Sequence, residues 1–134
     1  MNIYTVNYIL SRLSFAMAAA LAIPLVLAII GKEASREAFM LSVFVSIFFG
    51  IAFRRYGSPS DDLTPREGIA ITAFGWFTGT FLGMLPYLLG HYLGFLDALF
   101  ESISGFTGTG GTVFVTLDGV PYSILFWRMM TAWI

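Results

Sequence analysis

The chain has 134 residues, a net charge of −1, no cysteine and a single histidine; 57% of it is hydrophobic and only 11% charged. A soluble domain carries about 25% charged residues, so this composition belongs to a chain that lives in lipid. It excludes a disulfide framework, a thiolate metal site and a multi-histidine centre, and no Lys/Arg run offers nucleic acid a footprint.

Residues 13–30 contain no charge and come close to the ~20 residues needed to cross the hydrocarbon of a bilayer. The pattern predicts a helix from near Ile3, with Arg12 reaching for the interface and Pro24 as a kink. Ala16 and Ala18 to Ala20 offer a small surface for close helix contact. A cleaved signal peptide over residues 1–30 is the competing reading. Arg12 is its only basic residue and no basic region precedes the apolar run, which favours a retained helix. Residues 31–37 form a polar turn, with Ser35 as the expected N-cap of a second helix. Residues 38–53 are the second uncharged run, closed by Arg54, Arg55 and Tyr56 as interfacial anchors. Residues 1–56 thus read as two leading transmembrane helices, followed by a solvated loop at 57–64.

Thr64-Pro-Arg-Glu67 has the residues of a capping box with proline at the first helical position. The third helix is expected over 65–90, where residues 68–90 are uncharged and long enough to span. Gly75, Gly79 and Gly83 recur every fourth residue, which predicts a face packed against the half-helix or the helix beginning near Tyr122. Residues 95–106 amount to ~18 Å of helix, too short to cross, and read as a re-entrant half-helix. Asp118, Gly119 and Pro121 mark a turn before a last apolar helix over 121–134, which reads as truncated because it ends within an apolar pattern. Arg54, Arg55 and Arg66 against Lys32 and Arg36 favour a cytoplasmic 57–64 loop and a half-helix that enters from outside.

The chemistry concentrates where the half-helix runs into Thr107-Gly-Thr-Gly-Gly-Thr112. Irregular backbone at membrane depth is tolerated only where protein buries it or where it lines a wet cavity. This tract has little side-chain bulk, so the carbonyls of Thr107, Gly108, Thr109, Gly110 and Gly111 can turn to one side and replace water around a cation. The C-terminal dipole of the half-helix adds to that. Asp97 offsets the N-terminal dipole and concentrates cations at the mouth, whereas Glu101 lies one turn deeper and needs a partner, for which Arg128 is the candidate. Asp118 reads as a turn residue, His91 as interfacial, and Trp76, Trp127 and Trp133 as packing or interfacial aromatics. No nucleophile–base pair or metal motif is present in the sequence, so an enzyme is the weakest of the readings.

Helix, half-helix, Gly/Thr loop, helix is the order of a potassium-channel repeat. Its wording resembles the Trk/Ktr/HKT family of potassium uptake proteins. The matching stretches are Arg66-Glu-Gly68, Leu85-Pro86, Phe95-Leu-Asp-Ala-Leu-Phe-Glu-Ser-Ile-Ser-Gly-Phe-Thr107, Thr109-Gly110, Thr112-Val113 and Leu125-Phe-Trp-Arg128. The family pattern at the loop is roughly Gly-Phe-Thr-Thr-Thr-Gly-Ala-Thr; here Gly108 stands where threonine is usual and Gly111 where alanine is common. The resemblance implies an all-α, multi-pass protein of the cell inner membrane: two leading helices and one incomplete pore repeat over 65–134, with a pore half-helix at 95–106, a filter loop at 107–113 and Thr112 at its edge. It also implies Thr107, Gly108, Thr109, Gly110, Gly111 and Thr112 as the filter residues, K⁺ as the transported ion with Na⁺ or H⁺ as candidate co-ions, and no bound cofactor. Its partners would be membrane lipid, the remaining repeats of a parent chain, a cytosolic nucleotide-binding regulatory subunit and a second copy of the full-length parent. The alternative is a non-conducting membrane scaffold or a non-functional truncated piece.

Overall fold

A computed structural model of the chain describes residues 1–116 and 118–133, and among these there are five helices and no strand. Three are long and apolar enough to cross a membrane: α1 (Ile3–Ile30), α2 (Arg36–Arg55) and α3 (Pro65–Leu89). Phe44, Phe48 and Phe77 stand more than 60% exposed, a surface for lipid or further protein rather than for water. The two remaining helices are short, α4 (Phe95–Thr107) and α5 (Tyr122–Thr131); α5 stops short of the expected 121–134, with Ala132 and Trp133 in a turn, and Ile134 lies outside the described residues.

α1 and α2 form an antiparallel hairpin, the most extensive helix contact in the molecule. Both helices bury small hydroxyl residues beside Met17, Leu21 and Phe39. Ser11, Ser14, Ser42 and Ser46 are fully buried, and each donates back to a carbonyl of its own helix at 2.6–2.9 Å. A buried serine satisfied this way brings no polar debt to the interface and little bulk, so backbones approach closely. The alanine surface expected at positions 16 and 18–20 is mostly turned elsewhere. Only Ala18 is buried, because the inward stripe runs through Ser11, Ser14, Met17, Ala18 and Leu21.

Polar ties hold the helices at both ends of α1. At its start, the Asn2 side chain accepts from the Tyr4 N–H, and the Asn2 N–H donates to Glu67 Oε1 at 2.7 Å. Glu67 also accepts the Thr64 N–H at 2.8 Å, which makes the expected capping box of α3. At the other end, Glu33 in the first turn region caps α5: its carboxylate accepts the N–H groups of Tyr122 and Ser123, both at 3.1 Å, and the Ser123 hydroxyl. Ser35 differs from expectation here. It makes no side-chain cap on α2, because its hydroxyl is engaged by Glu33 and Ser123 instead.

The glycine ridge of α3 is only partly covered. A Cβ on Gly83 would fall 2.4 Å from the Phe106 ring and 2.8 Å from Ser102 Oγ, so this glycine lets α4 press on α3. Around it, Ser102 donates to the Thr80 carbonyl at 2.8 Å, and fully buried Trp127 donates its indole N–H to the Gly83 carbonyl at 2.9 Å. Gly75 and Gly79 do not join this packing. Gly75 meets only Leu13 of α1 and Gly79 meets nothing within 4 Å; both line an open groove of about 320 Å³ between α1 and α3. α3 packs on α4 through its C-terminal half, and the two earlier glycines lie one and two turns below that contact.

Candidate functional site

α4 starts on its glycine cap, Gly94, runs thirteen residues and stops. The stop is built by Gly108, which is left-handed at φ +68°. The Thr109 N–H bonds the Ser104 carbonyl and the Gly108 N–H bonds the Gly105 carbonyl, the paired bonds of a Schellman ending. A β-branched residue is strained in that conformation, so glycine at the position where the family pattern has threonine fits the turn this chain makes. The helix ends one residue beyond the expected boundary because this turn keeps Thr107 in the last helical position.

From Gly108 the chain returns along α4 in the opposite direction. Gly111 lies beside Phe100 and Ser104, and Val113 beside Glu101. α5 then descends parallel to α4, with Arg128 next to Glu101 and Thr131 against Gly105, where a Cβ would come within 2.3 Å of Thr131 Oγ1. Thus the half-helix and the loop enter and leave on one side.

Glu101 is the centre of this arrangement and is 2% exposed. Its carboxylate pairs with the Arg128 guanidinium, the one ion pair among the described residues. It also accepts the Thr112 hydroxyl, 3.1 Å from both oxygens, and the Val113 N–H at 3.0 Å. A buried carboxylate is tolerated when paired and fully hydrogen-bonded, and here its partners come from the loop and from α5. The Arg128 contact follows from there being no other cation in this half of the sequence beyond Arg66. The Thr112 and Val113 contacts carried no sequence signal, since neither residue type demands a carboxylate.

Residues 107–110 are exposed, Gly111 is half-buried and Thr112 is exposed. The hydroxyls of Thr107 and Thr109 meet at 2.8 Å, and that of Thr107 donates to the Ile103 carbonyl at 2.7 Å. Ser104 donates its hydroxyl to the Gly111 carbonyl at 2.6 Å. Asp97 stands exposed in the first turn of α4, away from the loop tip, and His91 is an exposed, left-handed residue in the turn after α3. Trp76 and Trp133 are exposed, while Trp127 is the buried one.

Three membrane-length helices, followed by a short helix and a loop that folds back along it, make this a polytopic α-helical membrane protein. Comparison with known proteins is specific about which kind. The chain is 32% identical over 136 residues to the Trk system potassium uptake protein TrkH of Escherichia coli strain K12, covering 99% of this chain and 28% of that one. It is 33% identical over 116 residues to TrkH of Vibrio parahaemolyticus, covering 82% and 23%. The crystal structure of the potassium transporter TrkH from Vibrio parahaemolyticus superposes with a TM-score of 0.88 at 29% identity, covering 96% of this chain and 28% of that chain. No family model matches. The chain is similar to TrkH along nearly its whole length, further than the motifs at residues 65–134 carried the resemblance, and it spans about 28% of the length of the curated relatives it matches.

Proposed function

We propose that this chain forms part of the ion pathway of a Trk-type potassium uptake protein of the cell inner membrane. The observation that carries the reading is the exposed tract of residues 107–110, set at the C-terminal end of a half-helix whose buried Ser104 and Glu101 hold Gly111 and Val113 just beyond it. A K⁺ ion loses its hydration shell on entry, and carbonyl oxygens of residues 107–110 replace it, helped by the negative end of the α4 dipole; the Gly111 carbonyl, also expected to coordinate, already accepts the Ser104 hydroxyl. The Thr107 and Thr109 hydroxyls bond each other, and that of Thr107 donates to the Ile103 carbonyl, which fixes both side chains; the coordination proposed is by the backbone carbonyls. Thr112 holds the end of the tract to Glu101.

Carbonyls on one face make only part of a coordination shell. The rest comes from other repeats of the parent chain, and a cytosolic nucleotide-binding subunit and a second copy of the parent complete the system, with Na⁺ or H⁺ as the co-ion. The test is growth of potassium-uptake-deficient cells at low K⁺ with the complete gene product. Growth is expected, and Gly110→Ser, which puts a side chain on a backbone held at φ +79°, is expected to lower selectivity for K⁺ over Na⁺. Growth with unchanged selectivity in the Gly110→Ser protein would overturn the assignment of this loop.

A further inference from the structure

Ser104 is 5% exposed and lies on the inner side of α4, facing the returning loop. It holds the loop twice. Its carbonyl accepts the Thr109 N–H at 3.1 Å, and its hydroxyl donates to the Gly111 carbonyl at 2.6 Å. The second bond directs that carbonyl oxygen toward the half-helix, whereas residues 107–110 remain on the exposed side. Gly111 is further confined by the Phe100 ring, 3.2 Å from where its Cβ would be. A carbonyl that accepts a hydroxyl proton also has part of its negative potential spent before any cation arrives.

Building on the coordinating-loop reading above, we propose that Ser104 is a specificity-determining positioning residue, which withdraws the Gly111 carbonyl from the cation and limits the coordinating set to residues 107–110. The number and field strength of coordinating carbonyls govern discrimination between K⁺ and Na⁺. Removing the hydroxyl frees the Gly111 oxygen to turn outward and changes that number, without touching the ion itself. Because the Schellman bonds at Gly108 and the Glu101 contacts to Thr112 and Val113 remain, the loop keeps both of its anchors.

The experiment is the K⁺/Na⁺ uptake ratio of the complete gene product in proteoliposomes, for Ser104→Ala, Ser104→Cys and Ser104→Thr, beside Gly110→Ser. Cysteine keeps the size with a far weaker donor, so it tests the bond if alanine fails to fold. Uptake persists in the alanine and cysteine proteins with the ratio shifted by about three- to tenfold, the scale of one hydrogen bond, and threonine, which restores a hydroxyl, keeps the original ratio. An unchanged ratio in the alanine and cysteine proteins, with a changed one in Gly110→Ser, overturns the role of Ser104 alone. A threonine protein shifted as far as alanine also overturns it. If Gly110→Ser leaves the ratio unchanged as well, the loop is not the coordinating element and both readings fall together.

Discussion

Glu101 joins three pieces of chain through one carboxylate: its own helix, the loop at Thr112 and Val113, and α5 at Arg128. Its side chain is almost wholly covered, whereas that of Arg128 is 27% exposed. That asymmetry decides what substitution does. Arg128→Gln leaves a carboxylate without its counter-charge in the interior; Glu101→Gln leaves a cation that still reaches solvent and removes charge from two loop contacts. Breaking a buried pair from one side costs about 3–5 kcal/mol, while removing both charges costs less than the sum. Arg128→Gln is therefore expected to lie at the upper end of that range, Glu101→Gln below it, and the double variant below their total. Thermal unfolding of the detergent-solubilised complete protein measures all three, and simple additivity would refute the coupling.

At the scale of elements, α5 is held in place by a residue 89 positions before its first N–H partner. Burial pushes the Glu33 carboxyl up, but the hydroxyl and N–H of Ser123, the Ser35 hydroxyl and the Tyr122 N–H outweigh it and hold the acid below its ordinary value of 4.5. A depressed folded value means the cap stabilises above pH 4.5 and is lost as pH falls through the folded value. Glu33→Ala should destabilise by about 0.5–2 kcal/mol at neutral pH, the range for a lost N-cap, and by little once the native acid is protonated. Unfolding midpoints of both proteins against pH check this, and parallel curves would contradict it. No sequence pattern announces such a cap, because the N-cap position of α5 is Pro121, which has no side-chain acceptor, and the acceptor arrives from another loop. The spans were legible for the opposite reason: an uncharged run is a local property and lipid makes it sufficient. The half-helix was legible from its length, and the Glu101–Arg128 pair from the scarcity of other charges. The four-residue spacing of Gly75, Gly79 and Gly83 predicted packing along a whole face of α3, but spacing cannot tell how far along that face a neighbour reaches: α4 covers only Gly83, and Gly75 and Gly79 line an open groove.

For the molecule as a whole, residues 107–110 are exposed, and on the function proposed above one chain supplies carbonyls for only part of a coordination shell. A dehydrated cation needs them from several directions. Residues 1–134 expressed alone are expected not to restore growth of potassium-uptake-deficient cells at low K⁺; robust uptake by this piece would instead mean that several copies assemble into a pore of their own. Around that tract the leading helices play a part of another kind. α1 is 28 residues long, about 42 Å at the usual rise, and it is fastened at one end to the start of α3 through Asn2 and Glu67 and at the other to the start of α5 through Glu33. It is a tie rod of fixed length. A change of one residue in it shifts the downstream clamp by about 1.5 Å and swings it through roughly 100°, so it cannot be lengthened or shortened as surface helices can. Nor can α5 slide past α1 without giving up the Glu33 contacts to Tyr122 and Ser123: the position of the helix that carries Arg128 is set by the far end of the first one.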